Sequence, residues 1–238
     1  MNNINISLLI LRVMEHHKDN IPPKIFSILA AKGFDSLRPS QEKSVNAGLF
    51  SGCNLLVCTP TASGKTLVGE LGLINAVYEK GLKGVYIVPL RALASEKYNH
   101  FKTEYPDLRV GIGSGDVDGP DSYLTNCDII VLTSEKFDSL IRHKVEWIRE
   151  IGCLVVDEIH LLGDVSRGPT LEIVITIVRS ILKNCQIIGL SATIGNSAEL
   201  AEWLDAKLIE DSWRPVKLEK GVYFDKDITF LEDSDKNI

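Results

Sequence analysis

The sequence has no CxxC pair, no histidines paired at metal-ligand spacing, no internal repeat, no low-complexity tract and no apolar run long enough to span a bilayer. Its five cysteines (Cys53, Cys58, Cys127, Cys153, Cys185) are odd in number and scattered. That argues against a metal or disulfide framework and for reduced structural thiols in a cytosolic protein. His16, His17, His100 and His143 read as surface residues for the same want of partners. The apolar stretch from Ile4 to Met14 lacks an early basic region and a small-residue cleavage site, so it reads as a packing segment and no membrane partner is expected. There is no basic excess either: 26 Lys and Arg face 32 Asp and Glu, a net charge of -6. Any contact with nucleic acid must therefore come from a local patch or from backbone amides rather than from a global field.

What the 238 residues do have is 45% hydrophobic content, enough for one substantial core. Short apolar runs rich in β-branched residues alternate with segments of helical period, the pattern of a parallel sheet wrapped by helices. The runs predict strands at 54–58, 84–88, 109–112, 129–132, 153–157 and 186–190, continuous enough to be buried on both faces. Helices are expected at 65–78, 90–103, 134–142, 171–182 and 197–204, joined to the strands by right-handed crossovers. Two leading helices fit 23–32 and 40–50, the second opened by Ser40 as a cap. The fold class is thus α/β, a mostly parallel sheet with helices on both faces, over residues 1–210. Residues 1–50 form the leading helices, and 211–238 an extended, polar connection that leaves the domain.

The segment Thr59-Pro60-Thr61-Ala62-Ser63-Gly64-Lys65-Thr66 follows a predicted strand and opens a predicted helix, the context a phosphate-binding loop requires. Gly64 lets the backbone approach phosphates, amides from Thr61, Ala62 and Ser63 onward face their charge, Lys65 reaches the outer phosphates, and Thr66 offers a hydroxyl to Mg²⁺. Thr59 stands where the generic pattern has glycine. Farther on, Leu154-Val155-Val156-Asp157-Glu158-Ile159-His160 sets two acids at the end of another apolar strand, where open α/β sheets bind ligands. Asp157 is expected to hold Mg²⁺ and Glu158 to orient and deprotonate the attacking water. Together with Lys65 they form the expected catalytic set.

Asp157-Glu158-Ile159-His160 is a DExH box, and Ser191-Ala192-Thr193 resembles the third signature of superfamily-two helicases. Segments 88–97, 133–136 and 37–41 resemble that superfamily's Ia, Ib and Q motifs. Arg167 to Glu172, the run from Ser191 to Leu204, and Trp213-Arg214-Pro215-Val216 further resemble the archaeal Holliday-junction-migration (Hjm-type) helicases of the superkiller-like branch. The resemblance covers most of the chain. It implies the first RecA-like domain of a 3′-to-5′ DNA translocase that uses ATP and Mg²⁺ at stalled or forked replication structures. It assigns adenine reading to Gln41, coupling of the γ-phosphate state to domain motion to His160, Ser191 and Thr193, and DNA-backbone contacts to Pro89, Arg91, Thr133 and Ser134. No aromatic near Lys24 offers the adenine stacking that some relatives use.

Plainer readings stay open beside these. Arg91 and Lys97 also suit a solvated helix face, Thr133 and Ser134 a helix N-cap, Trp147, Trp203 and Trp213 core or docking anchors, and Ser114-Gly115-Asp116 a simple turn. No second strand-helix repeat follows within the chain. The expected partners are accordingly single-stranded or forked DNA and the second RecA-like and helical domains of a longer protein, without which the domain binds nucleotide, hydrolyses it weakly and does not unwind. An RNA helicase of the same branch, or a nucleotide-binding module that is not a motor, is the alternative.

Overall fold

The computed structural model describes residues 20–113, 122–216, 221–224 and 227–230. The predicted packing segment at 4–14, His16, His17 and the Ser114-Gly115-Asp116 loop lie outside them. Two leading helices, α1 (Pro23–Ala31) and α2 (Pro39–Asn46), precede a regular alternation: β1 (Leu55–Cys58), α3 (Lys65–Lys80), β2 (Lys83–Val88), α4 (Arg91–Glu104), β3 (Val110–Gly113), β4 (Ile129–Thr133), α5 (Ser134–Arg142), β5 (Ile151–Val156), α6 (Gly168–Ile181), β6 (Gln186–Ser191), α7 (Ser197–Leu204) and β7 (Lys207–Glu210). The seven strands form one sheet in the order β3-β4-β2-β5-β6-β1-β7, and every pairing in it is parallel. A separate antiparallel pair, β8 (Gly221–Phe224) with β9 (Asp227–Phe230), lies in the stretch read as an extended connection.

The apolar runs become strands because each alternates its side chains between two packed faces. These are fully buried in all of the predicted strands except the edge strand β3, where Val110 and Ile112 are half-buried. Leu55 and Val57 of β1, Tyr86 and Val88 of β2, and Val155 of β5 point into one core layer, with α1 to α4 above it. Leu56 and Cys58, Val85 and Ile87, and Leu154 and Val156 point into the other, covered by α5, α6 and α7. Helix α3 comes unusually close to the sheet. A Cβ on Gly72 would lie 2.2 Å from Ile188 Cδ1, and one on Gly69 would lie 2.9 Å from Val155 Cγ1. This proximity is what brings the phosphate-loop helix down over the central strands.

Two expectations about helix starts need correction. Helix α2 begins at Pro39, with Arg38 as its N-cap residue, because proline at the first position has no amide to satisfy and a φ already suited to a helix. The Gln41 side chain accepts the Arg38 amide at 2.8 Å, while the Ser40 hydroxyl is buried without a partner and caps nothing. Helix α6 starts at Gly168, three residues before Leu171, again with proline in its first turn. Gly168 is required there, since a Cβ would meet the Leu162 carbonyl oxygen at 2.2 Å. Among the described residues no helix is long and apolar enough to cross a membrane. All five cysteines carry free thiols, and only Cys53 is not buried.

Candidate nucleotide-binding site

The parallel sheet sets the ends of β1, β6, β5, β2 and β4 side by side along one edge. Cys58 pairs with Ser191, Ile87 with Val156, and Val88 with Thr133. The residues that follow these strands are the phosphate loop, Ser191 to Thr193, Asp157 and Glu158, Pro89 to Arg91, and Thr133 and Ser134. These sequence-predicted site residues therefore share one edge although they run from Thr59 to Thr193 in the chain. Strand β6 separates β1 from β5, which leaves the width of about two strand spacings, ~10 Å, between the loop and the acids.

The loop is braced from inside and from the Q-like segment. The hydroxyls of Thr59 and Ser63, both buried, lie 2.7 Å apart. Thr59 thus fills the place of the generic glycine with a cross-loop hydrogen bond, and its amide donates to the Ser191 carbonyl at 3.2 Å. Ala62 and Gly64 have φ of 66° and 95°, the left-handed region in which glycine is unstrained. A Cβ at Gly64 would lie 2.6 Å from Gln41 Nε2 and 3.0 Å from Arg38. Gln41 is buried, and its Nε2 donates to the Gly64 carbonyl at 3.0 Å. Arg38 donates to the Ala62 carbonyl at 2.9 Å and lies against the Trp213 indole, 5.5 Å from its centroid. Both ends of the Gln41 amide are engaged within the protein, so this residue holds the loop. Trp213, from the far end of the domain, thus packs beside the residue that braces the loop.

Lys65 begins α3 and is nearly buried, and its Nζ stands 3.7 Å from Glu158 Oε1. Glu158 adopts φ 51°, an uncommon backbone state for a residue with a Cβ and a frequent mark of functional positions. Its Oε2 is buried with no hydrogen-bond partner and lies 3.4 Å from His160 Nδ1. His160 Nδ1 is in turn 3.5 Å from the Ser191 hydroxyl. Asp157 is held on both oxygens: Oδ2 accepts the Tyr86 hydroxyl at 2.8 Å and Oδ1 accepts the Glu158 amide at 3.0 Å. Burial, followed by the Asp157 charge, pushes the Tyr86 phenol well above its ordinary range, so it remains a donor. Burial likewise lifts the Cys58 thiol to about 11, against a lowering from its hydrogen bond to Ser191. That thiol is an inert packing group at the floor of the site.

The donor set fits a nucleotide and Mg²⁺. Among the described residues no group of three or more His, Cys, Asp or Glu side chains gathers as a ligand set. A lone carboxylate beside a loop threonine is instead what Mg²⁺ uses when phosphate oxygens and waters complete its shell. Thr66, in the first turn of α3, and Asp157 are the residues that would hold it.

The DNA-side residues divide. Arg91 is exposed at the start of α4 and Pro89 is half-buried. Thr133 and Ser134 are buried, and the Thr133 hydroxyl accepts the Lys136 amide as N-cap of α5. The capping role is the one this geometry gives them. Thr193 is exposed beyond the end of β6, away from the buried Ser191. His100, read as a surface residue, instead lies 2.7 Å from the buried Glu70 of α3. That contact, with a weaker one from Tyr105, ties α4 to the phosphate-loop helix. Tyr86, Glu70 and Arg38 are the positioning residues the sequence reading missed. A carboxylate inside the apolar stretch Leu67 to Ile74 was the available signal, since buried charge demands a partner.

A parallel sheet with a phosphate loop on one inner strand and a DExH box two strands away defines a nucleotide-driven helicase domain. The chain belongs to the DEAD/DEAH box helicase family, whose model matches residues 38–201. It is 53% identical over 215 residues to the ATP-dependent DNA helicase Hel308 of Pyrococcus abyssi, covering 90% of this chain and 30% of that protein. It is 47% identical over 219 residues to the ATP-dependent DNA helicase Hel308 of Methanococcus vannielii, covering 89% of this chain and 29% of that protein. The chain thus spans about 30% of the length of these curated relatives. The fold is shared with the DUF1998 helicase MrfA in its crystal structure bound to DNA and AMPPNP, with a TM-score of 0.70 over 81% of this chain at 24% identity.

Proposed function

We propose that this chain is the ATP-binding motor domain of an ATP-dependent DNA helicase that acts on single-stranded or forked DNA at stalled replication structures. The observation that carries the reading is the convergence of Lys65 and Glu158, 3.7 Å apart, at the edge where the phosphate loop opens α3. In this arrangement the two side chains neutralise each other. An entering polyphosphate offers Lys65 a stronger, multiply charged partner, and the freed Glu158 carboxylate can then accept a proton from the attacking water. Its left-handed backbone and its buried, unpaired Oε2 keep that carboxylate poised for the exchange. Thr66 and Asp157 would hold Mg²⁺, which would supply charge neutralisation on the outer phosphates. His160 and Ser191 stand beside Glu158, and with Thr193 they transmit the presence or loss of the γ-phosphate to the rest of the motor.

DNA as the polymer is supported by the named activity of the relatives, and Arg91 is the exposed cation best placed for its backbone. Such contacts carry no base information, so no sequence preference is expected. The 3′-to-5′ direction and the preference for forks follow from the resemblance and belong to the longer protein. By the same resemblance, a second RecA-like domain would supply arginines that stabilise phosphoryl transfer, worth about a thousandfold or more in related NTPases. The test is Glu158→Gln: nucleotide affinity stays within about threefold while hydrolysis falls by two or more orders of magnitude. Equal turnover by both forms would instead mark a binding module without motor chemistry.

A further inference from the structure

Tyr86 is fully buried in the centre of β2, a strand otherwise occupied at that level by aliphatic side chains. A phenol in such a place must find a partner for its hydroxyl, and the partner here is Asp157 Oδ2 at 2.8 Å. The ring is locked on both sides. Gly69 of α3 leaves room for it, its absent Cβ lying 3.6 Å from Tyr86 Cε2, and Phe101 of α4 meets it edge-on at 5.6 Å. Lys97, also on α4, lies 5.7 Å from the ring centroid. The tyrosine thus has little rotational freedom, and its hydroxyl is a fixed donor aimed at one oxygen of the DExH aspartate. The other oxygen receives only the amide of the next residue, on a turn that lies beyond the strand.

We propose that Tyr86 is a positioning residue for nucleotide hydrolysis, fixing the Asp157 carboxylate in the orientation that receives Mg²⁺ and tying that orientation to the packing of α4. The inference rests on the reading of Asp157 as the metal-side acid. A carboxylate held by a rigid donor presents its remaining lone pairs in one direction; without the donor it must be ordered when the metal binds, which weakens binding. The protein gains a route by which displacement of α4, the helix that begins at Arg91, changes metal binding without any motion of the sheet.

Tyr86→Phe removes only the hydroxyl and keeps the ring between Gly69 and Phe101. Binding of a fluorescent, non-hydrolysable ATP analogue is titrated with Mg²⁺ in the unaltered chain, Tyr86→Phe, Asp157→Asn and the double variant, with thermal melting as a check on folding. The half-saturating Mg²⁺ concentration is expected to rise about tenfold in Tyr86→Phe, the scale of a hydrogen bond to a charged group, while affinity in EDTA stays within about twofold. The double variant should be no worse than Asp157→Asn alone, because the tyrosine acts through that carboxylate. An unchanged Mg²⁺ requirement in Tyr86→Phe beside a raised one in Asp157→Asn overturns the role of Tyr86 and leaves the metal site standing. No change in Asp157→Asn removes both. An equal loss of affinity with and without Mg²⁺ in a folded Tyr86→Phe protein reduces the tyrosine to packing and also refutes the proposal.

Discussion

Replacing Lys65 with alanine tests the phosphate grip directly, and the structure fixes what should and should not change. Lys65 is the first residue of α3, its side chain is about 10% exposed, and among the described residues its ion-pair partner is Glu158 at 3.7 Å. That pair is long, and Glu158 is one-third exposed, so its loss costs at most about 1 kcal/mol. Alanine returns a little through its higher helix propensity. The fold should therefore survive, with a melting temperature lowered by no more than about 4 °C for a domain of this size. Nucleotide binding should respond very differently. A lysine donating to polyphosphate oxygens in a nearly enclosed position is worth about 2–3 kcal/mol, so the dissociation constant should rise about 30- to 150-fold. Glu158 adds to the loss, because without the lysine its charge faces the phosphates unopposed. Equilibrium titration with a fluorescent ATP analogue in Mg²⁺, alongside thermal melting, separates the two effects. An affinity within twofold of the unaltered chain would refute the assignment of the loop as the phosphate site.

Two further expectations concern the support beneath the site. The Glu70 hydrogen bond raises the His100 pKa, against burial and Lys97, with a smaller contribution from Glu104 in the same direction. A raised folded-state pKa means that this stability is fully present below the unfolded value of about 6.5 and fades as pH climbs through the folded value. Because His100 is well exposed, the effect should stay within about 1 kcal/mol; melting from pH 5.5 to 8.5 should show a decline with rising pH that Glu70→Gln abolishes. Gly72→Ala should lower stability by about 1–2 kcal/mol despite alanine's helix preference. The new methyl would sit 2.2 Å from a fully buried Ile188, and denaturant unfolding would show the loss, whereas an unchanged midpoint would mean that α3 lifts from the sheet at no cost.

The six strands read from apolar runs appear within two residues at either end because five of them bury both faces and the sixth, β3, buries one and half-buries the other, which leaves a local signal independent of what packs above. Strand β7 escaped notice for the converse reason. Of its four residues only Ile209 is buried, and it exists because β1 offers it a free edge, as the Lys207 amide donating to the Asn54 carbonyl shows. Motifs built from contiguous residues were legible, since a phosphate loop or a strand-end acid pair is specified over eight positions or fewer. The supports of those motifs were not. Tyr86 and Asp157 are 71 positions apart, and Arg38 and Trp213 farther still. Nothing in the local pattern marks a tyrosine in a strand as a donor rather than as apolar filling. Thr133 and Ser134 fit both capping and DNA contact in sequence, and the structure shows the Thr133 cap and the burial of both side chains.

If the proposed function holds, the strand order gives nucleotide hydrolysis and polymer contact a way to communicate in such a rigid molecule. β5 carries the two acids and pairs with β2, whose end leads to Pro89 and Arg91, while β1 with its loop stands on the other side of β6. A close-packed sheet of this kind has low compressibility and no slack for internal rearrangement, so changes of contact fall to the side chains at the strand ends and between α3 and α4 above them. Glu70 with His100 and Tyr105 spans that gap, and Tyr86 with Asp157 joins β2 to the acid turn beneath it. Each is a directional hydrogen bond to a carboxylate, and each joins an element of the candidate site to the helix or strand leading to Arg91. In the proposed cycle, loss of the outer phosphate would free Lys65 to return to Glu158, whose neighbours are His160 and then Ser191 at the end of β6. The site therefore has one polar path toward β6 and another toward α4, both starting from adjacent acids that sit outside the strand and can move while the sheet does not.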